Sequence, residues 1–128
     1  MNFKCYVDGK QYLTNRLNLI NNEFNFEVNG NVVTVDKENI CKETELRDVN
    51  NCIVYENDII NIADKTMIVK YYKGTINIDS FELYIDGLVF MDFDFKPYLI
   101  SADILKNSSL IQVVGNIIPN HIIPVGDK

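Results

Sequence analysis

The chain has 128 residues, 47% of them hydrophobic, and a formal net charge of −6. This length fits one domain or two small lobes with a sizeable core, and the apolar content excludes a largely disordered chain. The acidic balance opposes non-specific binding to a phosphate backbone, and only Arg16 and Arg47 supply guanidinium groups. Disorder is expected only at the end, Val125–Lys128. Residues 1–20 carry charges and asparagines throughout, with no continuous apolar region of the kind a signal peptide needs. No stretch approaches the apolar length of a membrane-spanning helix. The three cysteines, Cys5, Cys41 and Cys52, are odd in number and widely spaced, which argues for free thiols and a cytoplasmic setting.

The pattern along the chain is mostly β. Phe3–Val7 is followed by Asp8-Gly9 and then Gln11–Thr14, a hairpin cue because a type I′ turn needs positive φ at both central residues. Residues 15–22 read as a loop or an irregular strand. Phe24–Val28 alternates with period two, Asn29-Gly30-Asn31 turns, and Val32–Val35 returns. Phe24, Phe26 and Val28 are expected inside, with Asn25 and Glu27 outside. Residues 36–51 are charged, with Ile40, Leu46 and Val49 as isolated anchors. They read as a long connection, a helical turn or a short helix over Glu38–Leu46 with a thin apolar face, closed by a turn at Asn50-Asn51.

Further strands are expected at Ile59–Ala63, Met67–Tyr72, Phe81–Ile85, Leu88–Phe95 and Leu110–Ile118. Turns are expected at Asp64-Lys65, Lys73-Gly74 and Asp86-Gly87, with a helical turn over Ser101–Lys106 capped by Ser101. Gly115 falls inside the last strand pattern, where glycine signals a bend or a bulge. Five short strands with tight turns and one helical turn before the last strand suggest a small SH3-like barrel, whose closure removes exposed edges. A small β-sandwich is the alternative. The expected organisation is all-β, with an N-terminal β-hairpin lobe and linker over residues 1–48 and a C-terminal barrel over 49–128.

In the run Val54–Ile60, "VYENDII", Glu56 and Asp58 lie two apart. Paired carboxylates on one face of a strand can serve as acid and base or bind a hard cation, but further convergent groups are needed and no metal, calcium or phosphate motif accompanies them. Turn chemistry is the preferred reading, with Asp58 accepting backbone N–H groups before Ile59 and Ile60 enter a strand. His121 has no partner fixed by spacing, and the cysteines lack the short C-x-x-C unit of structural zinc sites. No catalytic residue, metal or cofactor is therefore assigned.

Residues 81–95 carry four acids and no Lys or Arg. With Met91, Phe93 and Phe95 toward the core, Phe90, Asp92 and Asp94 face outward, and Glu82, Tyr84 and Asp86 share a face on the preceding strand. If the strands pair through Asp86-Gly87, these six residues form an acidic face with aromatic interleaving. It reads either as a solvated surface or as a site that steers a basic partner, with Tyr84 and Phe90 as apolar anchors.

Two segments resemble the YopX family of phage and prophage proteins. Family members carry a run like "GLKDxNGxxIYEGDIV"; this chain has Leu46–Asn50, Asn51–Tyr55 and Glu56–Ile60, with Tyr, Glu, Asp and Ile in the same order. Asn57 stands where the family has glycine, and asparagine is the non-glycine residue best suited to positive φ. A second family run, "VIGNIYENPEL", corresponds to Val113–Ile117, sharing Gly115, Asn116 and Ile117 without the tyrosine. The resemblance frames residues 46–120. It implies a β-rich, often oligomeric protein of unsettled biochemical role, with no catalytic residue to carry over.

The resulting expectation is a non-enzymatic phage or prophage protein in the host cytoplasm. Its partners would be a basic host or phage protein, further copies of itself, or both. The alternatives are an assembly protein whose function is oligomerisation and a nucleic-acid-binding small barrel, the latter disfavoured by charge.

Overall fold

The computed structural model describes residues 1–62, 64–78, 80–94, 96–98 and 111–120. The protein is all-β, its strands forming three sheets of which one is a curled half-barrel. It divides into two compact units, Met1–Glu43 and Thr44–Lys128.

In the first unit, β1 (Phe3–Val7) and β2 (Lys10–Thr14) make an antiparallel hairpin. Its central residues Asp8 and Gly9 have φ of 51° and 77°, the left-handed pair a type I′ turn demands. β3 (Asn18–Ile20), β4 (Glu23–Val28) and β5 (Asn31–Val35) form a three-stranded meander. It turns through Asn21-Asn22 and Asn29-Gly30, all four with positive φ. Period-two alternation puts Phe26 at the centre of the core with Cys5 and Val35, while Phe24 and Val28 pack at its margin and Glu27 is exposed. The Tyr12 ring tilts against Phe26 at 5.5 Å between centroids, which adds an edge contact to the area each buries.

Residues 36–47 depart from the sequence expectation. A single 3₁₀ turn, Lys37–Asn39, leads into an eight-residue strand, β6 (Ile40–Arg47), in place of a helix or long connection. Pairing imposes the strand: Phe3, Lys4 and Cys5 lie opposite Lys42, Cys41 and Ile40. Its fully buried side chains are Cys41 and Thr44, neither a strong apolar signal. β6 straddles the division between the units, its later residues belonging to the second. There Thr44 donates its hydroxyl to the Val54 carbonyl at 2.7 Å and accepts the Leu46 N–H at 3.1 Å, which satisfies a buried polar group.

In the second unit, β7 (Ile53–Tyr55) leads into a five-stranded antiparallel sheet. Its members are β8 (Asp58–Ile62), β9 (Lys65–Ile78), β10 (Phe81–Met91), β11 (Pro97–Tyr98) and β12 (Ile111–Asn116), in the order β11-β10-β9-β8-β12. Successive residues face opposite sides of a strand, so the pairs Val69–Phe90 and Ile68–Met91 point to different faces. Both faces are covered at this level. Val69 and Phe90 join Val54, Ile60, Ile62, Met67 and Ile111, while Ile68 packs with Ile59 and Ile117. A register shift between Val113 and Gly115 puts a bulge in β12 at Val114, just before the glycine. The strand ends at Asn116 in a helical turn, Ile117–Asn120, rather than running on to Ile118.

Two expected turns are strand interior. Lys73-Gly74 lies within β9, and Asp86-Gly87 within β10. Ile78 and Phe81 are register partners, so the hairpin closes between them, and Ser80 has φ of 70°. Closure there zips β10 to β9 without a break from Ile78–Phe81 down to Ile68–Met91. The glycine signal here reports close packing: a Cβ on Gly74 would meet the Tyr72 ring at 3.3–3.4 Å. The helical turn expected over Ser101–Lys106, the disorder expected at Val125–Lys128, His121 and Phe95 lie outside the described residues.

Candidate functional site

The "VYENDII" run is a turn held by buried polar bonds. Asn57 has φ of 71°, the left-handed conformation that glycine or asparagine tolerates, and reverses the chain between β7 and β8. Asp58 is 0% exposed. Its Oδ2 accepts the Tyr55 N–H at 2.8 Å, and its Oδ1 accepts the Asn116 side-chain amide at 2.9 Å. Asn116 Oδ1 in turn accepts the Ile118 N–H at 2.9 Å. Asn57 ties in the neighbouring elements: its N–H donates to Val69 O, its carbonyl accepts the Ile117 N–H, and its Oδ1 accepts Lys70 Nζ. Glu56 sits in the turn itself and not on a strand, so the period-two argument for a paired-carboxylate face does not apply to it. Among the described residues no group of three His, Cys, Asp or Glu side chains is placed to hold a metal ion.

The six residues expected to form one acidic face do not stay together. Glu82, Tyr84 and Asp86 share the outer face of β10 and are exposed, Tyr84 at 64%. Phe90, expected as an outward anchor, is 1% exposed and part of the core, while Phe93, expected inside, is exposed. The correction follows from β10 being one strand. Phe90 keeps the phase of Glu82, Tyr84 and Asp86 but lies at the end of the ribbon where the core covers that face, and beyond Met91 the strand stops.

Asp92 begins a tight loop. Its Oδ1 accepts the N–H groups of Asp94 and Lys96, both at 2.9 Å, and its own N–H donates to the Lys96 carbonyl. The Asp92 carboxylate therefore builds the turn between β10 and β11, and only Asp94 is exposed.

What the structure does gather is a different set. Glu82 faces Asn77, Tyr84 faces Thr75 and Asp86 faces Lys73 across the ribbon, and all six are exposed. The acids are thus not opposed by acids, as a hairpin through Asp86-Gly87 would have required. Phe81 at the turn end is 73% exposed, Leu83 40% and Tyr71 36%. Lys73, Thr75 and Asn77 were missed because the expected turn at Asp86-Gly87 lies seven residues beyond the observed closure between Ile78 and Phe81; Lys73 and Asp86 are equally far from that closure.

No protein-family model matches the chain, and neither does any curated protein or solved structure. Among the described residues no helix is long and apolar enough to cross a membrane.

Proposed function

We propose that this chain is a YopX-like phage or prophage protein, working in the host cytoplasm through protein–protein interaction rather than catalysis. The contact surface is the outer face of the β9–β10 ribbon: Glu82, Tyr84 and Asp86, with Asn77, Thr75 and Lys73 opposite them. The observation that carries this reading is the exposure of Tyr84, 64%, on one face with the carboxylates of Glu82 and Asp86. Large aromatics held on a strand and left in water are the residues that dominate binding energy when a partner covers them. The YopX likeness draws support from a contact: the segments that carry it, Tyr55–Ile60 and Val113–Ile117, share the buried Asp58–Asn116 bond. One bond gives a physical reason for the two runs to occur together. The second unit is in this reading a small SH3-like barrel, a proposal supported by its five-stranded antiparallel sheet and the bulge in β12 beside Gly115.

The test is capture from host lysate with the tagged full chain, its Tyr84→Ala/Glu82→Lys variant and an Asp94→Lys control. A partner held by the chain and the control but lost from the double variant is the expected result. A partner held equally by all three rejects this surface.

A second reading, self-assembly, has its own observation. Leu13 on β2 and Leu19 and Ile20 on β3 are 64%, 61% and 57% exposed, and both strands end their sheets. Apolar side chains on an end strand favour strand addition by a further copy. Sedimentation of the full chain showing a monomer mass at every concentration removes this reading.

A further inference from the structure

Among the described residues, β10 pairs only with β9 along Phe81–Val89; β11 joins it only at Phe90 and Met91. Among the described residues no strand lies on its outer edge over Phe81–Leu88, the side away from β9. Such an edge templates a further strand unless charge, proline or a bulge blocks it. No proline lies in this stretch and its register is unbroken. The charges are one-sided. β10 carries Glu82 and Asp86 and no base, while β9 carries Lys65, Lys70 and Lys73 and no acid.

This distribution selects the occupant. A second copy pairing β10 to β10 about Tyr84 sets Glu82 opposite Asp86 twice, and like charges directly opposite destabilise a sheet. Pairing β9 to β9 opposes lysines instead. A strand bearing Lys or Arg at both matching positions meets two carboxylates. Asp86 lies opposite Lys73 across the ribbon, whereas Glu82 lies opposite the neutral Asn77.

We propose that the outer edge of β10 accepts an extended basic segment of a partner protein as an added strand. Its pattern is basic–x–apolar–x–basic, the two bases opposite Glu82 and Asp86 and the apolar residue against Tyr84. The spacing follows from the strand: Glu82, Tyr84 and Asp86 lie two apart on one face, so the complementary groups lie two apart as well. This inference rests on the interaction reading above and narrows it to a mode of binding and a chemical class of partner.

The test uses the full chain and three labelled peptides: Thr-Lys-Thr-Val-Thr-Lys-Thr, the same peptide with Glu for Lys, and the Lys peptide N-methylated on alternate residues. Fluorescence anisotropy is expected to show the Lys peptide binding about tenfold more tightly than the Glu peptide, the size two cross-strand charge pairs supply. The Glu82→Lys/Asp86→Lys variant is expected to reverse that order. N-methylation is expected to abolish binding, and hydrogen exchange at Phe81–Leu88 is expected to slow when the Lys peptide is present. Equal binding of the N-methylated peptide overturns strand addition. No preference between Lys and Glu, or no binding at all, overturns the basic class. In each of these cases the wider interaction reading stands if Tyr84→Ala/Glu82→Lys still loses a captured partner, and falls with it if no partner is lost.

Discussion

Asparagine and aspartate bend this chain. Asp8, Asn21, Asn22, Asn29, Asn51, Asn57 and Asp64 all have positive φ, a region where their short polar side chains are the least strained after glycine. Asp58 does a different job at the same turn: it is buried, with both oxygens occupied. Replacing it by Ala leaves the Tyr55 N–H and the Asn116 amide without their acceptor. Asp58→Ala is expected to lower stability by roughly 2–4 kcal/mol in urea unfolding. Asn116→Ala is expected to lose less on the Asp58→Ala background than alone, because the bond is already gone. Additive losses dismiss the pair as a unit. The cysteines separate just as clearly. Cys5 and Cys41 are buried and Cys52 is exposed, so one thiol should react with a disulfide reagent in the native protein and all three after unfolding. Burial, reinforced by the nearby Cys41, pushes the Cys5 thiol up from its ordinary 9.0 to about 11. The unfolded chain thus releases this proton first. The stability it contributes is full below pH 9.0 and is lost as pH rises to about 11. Cys5→Ala is expected to flatten that part of the stability–pH curve, and an unchanged slope rules Cys5 out as its source.

Two hairpin loops repeat one design at the scale of elements. Asp48 Oδ1 accepts the N–H groups of Asn50 and Cys52, and its own N–H donates to the Cys52 carbonyl. Asp92 makes the same three bonds to Asp94 and Lys96. A carboxylate that closes a loop in this way cannot be exchanged as a surface charge. Asp48→Ala and Asp92→Ala are each expected to lower stability by about 1–3 kcal/mol, whereas Asp94→Lys should stay within about 0.5 kcal/mol of wild type. Equal effects of the Asp92 and Asp94 substitutions refute the loop assignment. The β9–β10 ribbon draws its stability from a different source. Near Val69 and Phe90 it is covered on both faces, while its far half is fastened by cross-strand pairing and by the Tyr72 ring lying over Gly74. On that half Phe81 and Tyr84 are exposed.

Over the whole molecule, charge and core follow different rules. The net charge of −6 and a pI near 4.6 make the chain self-repelling at neutral pH, and its solubility is expected to pass through a minimum close to pH 4.6. A turbidity scan that peaks elsewhere points to a change of structure before neutrality is reached. Each unit has its own apolar cluster, around Phe26 in the first and around Ile60, Val69 and Phe90 in the second.

The sequence by itself determined the all-β class, the two N-terminal turns at Asp8-Gly9 and Asn29-Gly30, the inward face of Phe24–Val28 and the turn role of Asp58. These are local: period-two alternation and the φ demands of a tight turn act within a few residues. It also placed Glu82, Tyr84 and Asp86 on one exposed face. Tertiary structure alone decided the rest, because each remaining choice depended on a distant partner. Ile40–Lys42 were drawn into a strand by pairing with β1, and the glycines at 74 and 87 became strand interior through the long β9–β10 register. Phe90 went inward because the core around Val69 covers that end of the ribbon, and Asp58 was joined to an asparagine 58 residues away by a fold that brings β8 against β12. Pairing between strands far apart in sequence leaves no short-range pattern, so only the assembled sheet could reveal it.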